Sequence, residues 1–176
     1  MRNKSKRCKI TSGAEQLPPD SAEYSFADDG IGAACRKSHH VQRWCPVMAA
    51  RRPRGFHLVT DEITANLPTL PVAGLVHLFI KHTSAGLSIN ENADPDVRTD
   101  LSAISDRLVR ERESYYVHTL EGDDDMPAHA KSTLTGVELT IPVTQGRLNL
   151  GTWQGIYLCE FRNRASGRRI VATLIG

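Results

Sequence analysis

The chain contains the stretch GDDDMPAHAKSTLTGVELTIPVTQGRLNLGTWQGIY at Gly122–Tyr157. Within it, residues 137–143 alternate between apolar and polar side chains, which predicts a half-buried β-strand. The segment Pro127–Leu134 before that strand predicts a short helix, and Gly136 is the glycine that commonly follows a helix C-terminus. Gln145-Gly146 then turns the chain into further strands. A helix and hairpin strands in such close succession indicate an α+β fold.

The sequence outside this stretch follows the same pattern. Pro95 to about Arg112 predicts the clearest helix, because Asp94 can cap it and Pro95 suits its first position. A shorter helix is expected after Thr60, whose hydroxyl can serve as its cap. We therefore predict an α+β fold with a large mixed, mostly antiparallel sheet and a few helices packed on one side. The apolar runs that predict its other strands are 41–48 (an edge strand, since it contains Pro46), 56–59, 74–81, 86–90, 115–120, 147–150, 155–162 and 169–175.

The composition suits one globular domain with an N-terminal extension. The chain has 176 residues, of which 40% are hydrophobic and 24% are charged. Residues 1–38 lack apolar periodicity and are rich in Lys, Ser, Asp, Gly and Pro. We interpret residues 1–38 as a disordered or extraneous extension, and residues 39–176 as a single domain.

The charge distribution and the apolar runs restrict the expected partners. The first 56 residues carry 11 Lys and Arg against 5 acids, and the other 120 residues carry 11 against 15. The basic residues form short clusters, so a solvated tail is favoured and nucleic acid is not expected as a partner. The longest nearly apolar stretch, residues 72–80, is too short to cross a bilayer. Without a secretion signal or a zinc-finger cysteine spacing, we expect free thiols and a cytoplasmic protein without a membrane partner.

Three histidines are the sharpest candidates for chemistry. His82 and His118 each end a predicted strand, and His129 lies on the first turn of the predicted short helix. Element ends bring side chains from distant parts of a chain together. Three neutral imidazoles with an open fourth position would suit Zn²⁺, and the same rings could instead act as acid–base groups. His82, His118 and His129 are therefore the predicted catalytic residues and the candidate metal ligands.

Charged residues offer two further kinds of site. The acids Asp123, Asp124 and Asp125 could bind Mg²⁺ through their oxygens, although a solvated acidic loop is the favoured interpretation of Asp123 and Asp124. Lys131, Arg147 and the exposed N–H groups at the predicted helix start could receive a phosphate. A divalent metal, zinc or magnesium, and a small phosphorylated ligand are therefore the expected cofactor and partner.

Four more residues are kept as candidates for substrate binding. Asn90 and Glu91 belong to an acidic cluster in which capping explains only Asp94. Ser84 follows His82 by two residues, but such adjacency does not make a nucleophile–base pair, because triads are recognised by their spatial roles. Trp153 could be a core residue, a subunit contact or a stacking surface for a flat ring.

Several motifs in a fixed order closely resemble the YjbQ family, also called the secondary thiamine-phosphate synthase family. The resemblance runs from about Val41 to Gly176. The motifs that carry it are RGFHLVTDEI at 54–63, HTSAGL at 82–87, NENADPDV at 90–97, MPAHAKS at 126–132, GRL at 146–148 and GTWQGIY at 151–157.

This resemblance implies a compact α+β fold, a homotrimer, and a pocket near subunit contacts that contains His82, His118 and His129. It also implies a weak thiamine-phosphate synthase activity, a transferase reaction of thiamine biosynthesis. That reaction joins an aminopyrimidine diphosphate to a thiazole phosphate and releases pyrophosphate. The alternative function is a homotrimeric metal- or phosphate-ligand-binding protein without significant turnover.

Overall fold

The computed structural model describes residues 36–37 and 42–176. The predicted extension over residues 1–38 lies outside the described residues apart from 36–37. In chain order the elements are β1 (Arg36–Lys37), β2 (Gln42–Ala49), β3 (Gly55–Leu58), α1 (Thr60–Asn66), β4 (Ala73–Ile80), β5 (Ala85–Glu91), α2 (Pro95–Leu108), α3 (Asp125–Thr135), β6 (Glu138–Thr144), β7 (Arg147–Leu148), β8 (Gln154–Glu160) and β9 (Arg168–Ile175).

The strands of the described residues form two antiparallel sheets. Six strands pair in the order β1-β2-β9-β4-β6-β7, and three pair in the order β3-β8-β5. The predicted α+β class with mostly antiparallel strands is confirmed. The sequence predicted one large sheet, whereas the structure divides the strands between two. The chain passes from the six-stranded sheet to the three-stranded sheet in the short connection at residues 81–84, between β4 and β5.

The core follows the two-residue period of the strands. Along β4, the side chains of Val76, Leu78 and Ile80 point into the core and are at most 1% exposed. Leu75 and Phe79 point to the opposite face of the six-stranded sheet, where 39% and 41% of their surfaces are exposed. One face of this sheet is therefore covered within the chain, while its other face carries exposed apolar side chains.

Helix α3 is anchored on the three-stranded sheet. Its Ser132 hydroxyl donates a 2.7 Å hydrogen bond to the carbonyl oxygen of Ala85 in β5. Gly136 follows the helix as predicted, and its φ of 100° lies in the region that favours glycine. The backbone N–H of Leu87 donates to the Gly136 carbonyl oxygen at 3.1 Å. These contacts fix the position of the helix that carries most of the site described below.

The predicted strand at residues 115–120 is wrong. This segment is irregular, and α2 ends at Leu108 rather than near Arg112. The Tyr116 hydroxyl donates to the Arg110 carbonyl oxygen at 3.0 Å, and Gly122 has a φ of 110°. The segment therefore folds back on its own backbone instead of pairing with a neighbouring strand, although its apolar residues are typical of one.

The two predicted caps have different outcomes. Asp94 caps α2 as expected, since its carboxylate accepts a 2.8 Å hydrogen bond from the backbone N–H of Asp96. Thr60 is not a cap. It is the first residue of α1, and its hydroxyl accepts from the backbone N–H of Ile156 in β8 at 2.9 Å.

Among the described residues, no helix combines the length and the apolar character that crossing a bilayer requires.

Candidate metal and acid–base site

The N-terminal half of α3 supplies two of the central side chains. Asp125 is the first residue of α3, and His129 lies four residues later, so one helix face presents both. Asp125 is only 1% exposed, although an aspartate side chain in water carries a negative charge at neutral pH. A carboxylate buried to this extent requires partners, because an isolated buried charge is strongly unfavourable.

The third side chain comes from the irregular segment before α3. His118 Nε2 lies 2.7 Å from Asp125 Oδ2, and His129 Nε2 lies 3.4 Å from the same oxygen. The centroids of the two imidazole rings are 5.4 Å apart. One ligand atom from each of His118, Asp125 and His129 lies within 4.8 Å of the other two, and this is the group in the described part of the chain that could hold a metal ion.

The orientation of His129 is fixed by its other ring nitrogen. His129 Nδ1 lies 3.0 Å from the backbone carbonyl oxygen of Thr83. Because a carbonyl oxygen can only accept, Nδ1 must carry the hydrogen. In neutral His129 the lone pair of Nε2 therefore points toward the carboxylate of Asp125. Two acceptors that face each other in this way suit a cation bound between them.

Asp125 is held from its other side by an arginine. The Arg162 guanidinium contacts Asp125 Oδ1, so the two carboxylate oxygens have different partners. Arg162 Nε also donates to Asp124 Oδ2 at 3.1 Å. Although burial acts to raise it, the backbone N–H of Asn163 and the Arg162 guanidinium hold the pKa of Asp124 below its usual value. This end of the acidic loop is therefore paired, which differs from the solvated interpretation of Asp124.

His82 lies outside the group formed by His118, Asp125 and His129. The backbone N–H of Arg169 donates to His82 Nε2 at 2.8 Å, and a guanidinium nitrogen of Arg168 lies 3.2 Å from Nδ1. Burial lowers the pKa of His82 below its ordinary value, and the positive charges of Arg168 and Arg169 lower it further. A ligand role for His82 stays a prediction, and in the structure Asp125 supplies the third donor beside His118 and His129.

His82 and His129 nevertheless share one open groove of about 650 Å³. Thr83 follows His82 along the chain and contacts His129 through its carbonyl oxygen, and Lys81 and Thr133 add polar groups to the groove wall. The charges of Arg168, Arg169 and Lys81 lower the pKa of His82, while the carboxylate of Glu160, which pairs with Arg168, acts to raise it. Lys81 lines the groove, and its basic group suits a negatively charged ligand.

Lys131 does not border this groove. It is 2% exposed, and its ammonium lies 2.5 Å from Asp106 Oδ1. It lines a separate, largely apolar cavity of about 300 Å³ under α2. Although burial acts to raise it, Lys131 and Arg54 hold the pKa of Asp106 below its usual value. Phosphate binding by Lys131 stays a prediction, and it would have to compete with Asp106.

The remaining predicted residues are spread over the surface of the fold. Ser84 accepts from Arg168 at 3.3 Å, which places it beside His82. Asn90, Glu91 and Trp153 line a shallow groove together, and Asn90 also borders the cavity under α2. Arg147 is exposed in β7 and is not among the residues that line these cavities.

Sequence reasoning gave little weight to Asp125 and missed Arg162, Arg168 and Glu160. The predicted helix began at Pro127, whereas α3 begins at Asp125, so the spacing of four residues that places Asp125 and His129 on one helix face was not recognised. No local signal marks the other three, because their roles depend on contacts between residues far apart along the chain.

The geometry defines a small α+β protein with a candidate centre for metal or acid–base chemistry. The sequence model of the family described as "UPF0047 protein YjbQ-like" matches residues 47–176. The chain belongs to this family, which confirms the resemblance found from the motifs.

Named relatives and solved structures agree with this assignment. The UPF0047 protein YjbQ of Salmonella typhimurium is 52% identical over 132 residues, which is 74% of this chain and 95% of the relative. The UPF0047 protein sll1880 of Synechocystis is 50% identical over 131 residues, or 74% and 89%. The crystal structure of the conserved hypothetical protein TT1486 from Thermus thermophilus has a TM-score of 0.62 at 37% identity, covering 73% of this chain and 97% of that one. The YbjQ-like protein of unknown function SSO2532 from Sulfolobus solfataricus has a TM-score of 0.66 and covers 77% and 97%, and its 24% identity supports the fold alone.

Proposed function

We propose that this protein is an enzyme that acts on a small phosphorylated substrate, with His118, Asp125 and His129 at its centre. The observation that carries the proposal is the bond from His129 Nδ1 to the carbonyl oxygen of Thr83. This bond leaves the other ring nitrogen, Nε2, available toward Asp125. A histidine held in one tautomer is suited to bind a metal or to transfer a proton.

The three side chains fit a divalent metal, and zinc fits best. Zinc in proteins takes imidazole nitrogens and carboxylate oxygens, and catalytic zinc sites keep three protein ligands and one open position. Here His118 and His129 supply nitrogens and Asp125 supplies an oxygen, with their ligand atoms within 4.8 Å of one another. Magnesium is less suited, because it prefers oxygen ligands. A bound zinc would supply Lewis acidity next to the groove.

The specific reaction that we propose is thiamine-phosphate synthesis, as the family resemblance implies. In that reaction the bond between the pyrimidine methylene carbon and the diphosphate oxygen breaks, and a bond from this carbon to the thiazole nitrogen forms. The departing diphosphate needs positive charge to stabilise it. The basic residues Lys81 and Arg169 near His82 support this proposal, because positive charge suits a phosphorylated ligand. His129 on the same groove could transfer a proton.

The test is thiamine-phosphate formation by purified variants. His129→Ala should lower turnover by about 100-fold or more, within the range that general acid–base groups contribute. His57→Gln is the control, since His57 Nε2 contacts the Pro53 carbonyl oxygen away from the groove, and Gln can replace this bond. Unchanged product formation by a folded His129→Ala protein would exclude the proposed role.

A second candidate function is a metal- or phosphate-ligand-binding protein without significant turnover. The three possible metal ligands His118, Asp125 and His129 favour this second function, because they can bind a metal whether or not a reaction follows. Stoichiometric zinc in the purified protein, together with trace product at every substrate concentration, would favour binding over catalysis.

We further propose that the protein assembles as a homotrimer in the cytoplasm. The outer face of the six-stranded sheet supports self-association, because Met48, Phe79 and Ile175 are 56%, 41% and 47% exposed there. Phe79 also lines the groove of His82 and His129. A neighbouring copy on this face would therefore border the site. Light scattering of the wild-type protein should give the mass of three chains, and the Phe79→Asp variant should have a lower mass. A monomeric wild-type protein would contradict this proposal.

A further inference from the structure

The guanidinium group of Arg162 contacts three residues of the segment 121–125, which contains Asp125. Arg162 follows β8, and its side chain is 21% exposed. Besides its contact with Asp125 Oδ1, Arg162 Nε donates to Asp124 Oδ2 at 3.1 Å, and Arg162 Nη2 donates to the Glu121 carbonyl oxygen at 2.9 Å. Three separate acceptors on residues 121–125 are therefore bound by one side chain.

The contact with Asp125 determines which oxygen the histidines can use. A carboxylate can rotate about its terminal bond, and its two oxygens are chemically equivalent in water. Arg162 occupies Oδ1, and both His118 Nε2 and His129 Nε2 face Oδ2. The fork of a guanidinium fixes direction better than the single ammonium of a lysine does. The orientation of Asp125 is therefore set from outside the two histidines.

We infer that Arg162 is a positioning residue of the site: it holds Asp125 so that one carboxylate oxygen serves both His118 and His129. The inference rests on the proposed function, in which this oxygen is a metal ligand. Mutating the groups that orient metal ligands typically lowers metal affinity by about 10- to 100-fold.

The same turn of chain also holds the other end of the groove. The backbone N–H of Arg162 donates to Glu160 Oε1 at 3.0 Å. Glu160 is fully buried and pairs with Arg168, which lies beside His82 and Ser84. Arg162 is thus attached to a buried, charge-compensated frame. This bond to Glu160 anchors the backbone from which the Arg162 side chain reaches Asp125.

A purely structural role for Arg162 makes a different prediction. If Arg162 only holds the segment 121–125 in place, then weakening its bond to Asp124 should lower metal binding as much as removing the Arg162 side chain does. If it acts through Asp125, a change at Asp124 should have little effect on metal binding. Asp124→Asn therefore separates the two roles, since this change leaves the contact between Arg162 and Asp125 in place.

The experiment compares four variants of the full chain with the wild-type protein. They are Arg162→Gln, Arg162→Lys, Asp124→Asn and Arg112→Gln. Arg112 is the matched control, because it forms a 2.6 Å pair with Asp123 on the same acidic loop but in exposed positions. The measurements are the dissociation constant for Zn²⁺ alone and the visible absorption spectrum of the Co²⁺-loaded protein, which reports the coordination geometry.

We expect Arg162→Gln to bind Zn²⁺ about 10- to 100-fold more weakly and to change the Co²⁺ spectrum. Arg162→Lys should recover part of the affinity, and Asp124→Asn and Arg112→Gln should resemble the wild type. Wild-type affinity in folded Arg162→Gln, or an equal loss in Asp124→Asn, would overturn the inference.

Wild-type protein that binds no Zn²⁺ would refute the metal part of the proposed function, and the inference would still be tested. In the metal-free protein, Asp125 accepts from His118 Nε2, and nitrogen NMR of the imidazole rings reports which nitrogen carries the hydrogen. Arg162→Gln should shift the His118 ring signals away from the Nε2–H tautomer, and Arg112→Gln should not. Identical His118 spectra for wild type and Arg162→Gln would overturn the positioning role.

Discussion

The backbone carbonyl oxygen of Thr83 lies 3.0 Å from Nδ1 of His129, although 46 residues separate them along the chain. This contact joins the connection between the two sheets to helix α3. A backbone acceptor cannot be changed by ordinary substitution, so the tautomer of His129 is set by the fold itself. The nitrogen that remains available is Nε2, and it faces Asp125.

His129 should therefore respond differently to its two amide replacements. The side-chain amide of Gln reaches the position of Nε2, whereas that of Asn reaches the position of Nδ1. We expect His129→Gln to keep part of the zinc affinity and His129→Asn to bind roughly tenfold more weakly than it, a difference of about 1.4 kcal/mol. Zinc titration of both variants checks this, and tighter binding by the Asn variant would show that Nε2 is not the ligand atom.

The elements that the sequence predicted well are those whose pattern is local. Residues 137–143 alternate apolar and polar side chains, and β6 is found at Glu138–Thr144. Asp94 and Pro95 predicted the start of α2 to the residue. Residues 115–120 look like a strand by composition, yet no neighbouring strand pairs with them in the described structure. A strand requires a partner, and the sequence of the segment alone does not supply one.

The residues of the candidate site were predicted only in part, because their grouping depends on contacts between residues far apart along the chain. His118 and His129 stood out by residue type at element ends, and the structure places their rings 5.4 Å apart. The role of Arg162 depends on a contact across 37 residues, with a carboxylate that the sequence groups with two other acids. His82 was expected among the ligands, but nearby arginines occupy its surroundings. Long-range charge pairing of this kind leaves no periodic signal.

His82 should make the protein less stable in mild acid. Burial and the neighbouring arginines lower its pKa in the folded state below the ordinary value of about 6.5. Between the lowered pKa and about 6.5, the unfolded chain binds a proton that the folded protein does not bind. The free energy of unfolding should therefore fall as the pH falls through this window, with no further loss from His82 below it.

Urea unfolding of wild type and His82→Gln across this window checks the pH dependence. The wild type should lose more stability on acidification than the variant, because Gln does not titrate. An NMR titration of the His82 ring should show a pKa below that of a free histidine. Parallel stability curves for the two proteins, or a His82 pKa above the ordinary value, would contradict the expectation.

Cys159 should be unreactive in the folded protein. Burial raises the pKa of its thiol to about 12. At about pH 8, roughly one thiol in ten thousand would be the reactive thiolate. Iodoacetamide should therefore leave Cys159 unmodified in native protein and should modify it after denaturation, as measured by mass spectrometry of the peptide that contains it. Labelling of native Cys159 at the rate of the denatured chain would show that this strand is not closed to the reagent.

Glu160→Gln should be strongly destabilising. Glu160 is fully buried, its carboxylate binds the guanidinium of Arg168 at 2.5 and 2.6 Å, and that guanidinium is itself almost completely buried. Removing one partner of a buried pair leaves the other charge uncompensated, which typically costs about 3–5 kcal/mol. Glu62→Gln is the control, because Glu62 pairs with Arg52 at 2.9 Å in a more exposed position, where the expected loss is about 1 kcal/mol or less. Urea unfolding of both variants measures the difference, and equal losses would mean that Arg168 finds another acceptor when the carboxylate of Glu160 is removed.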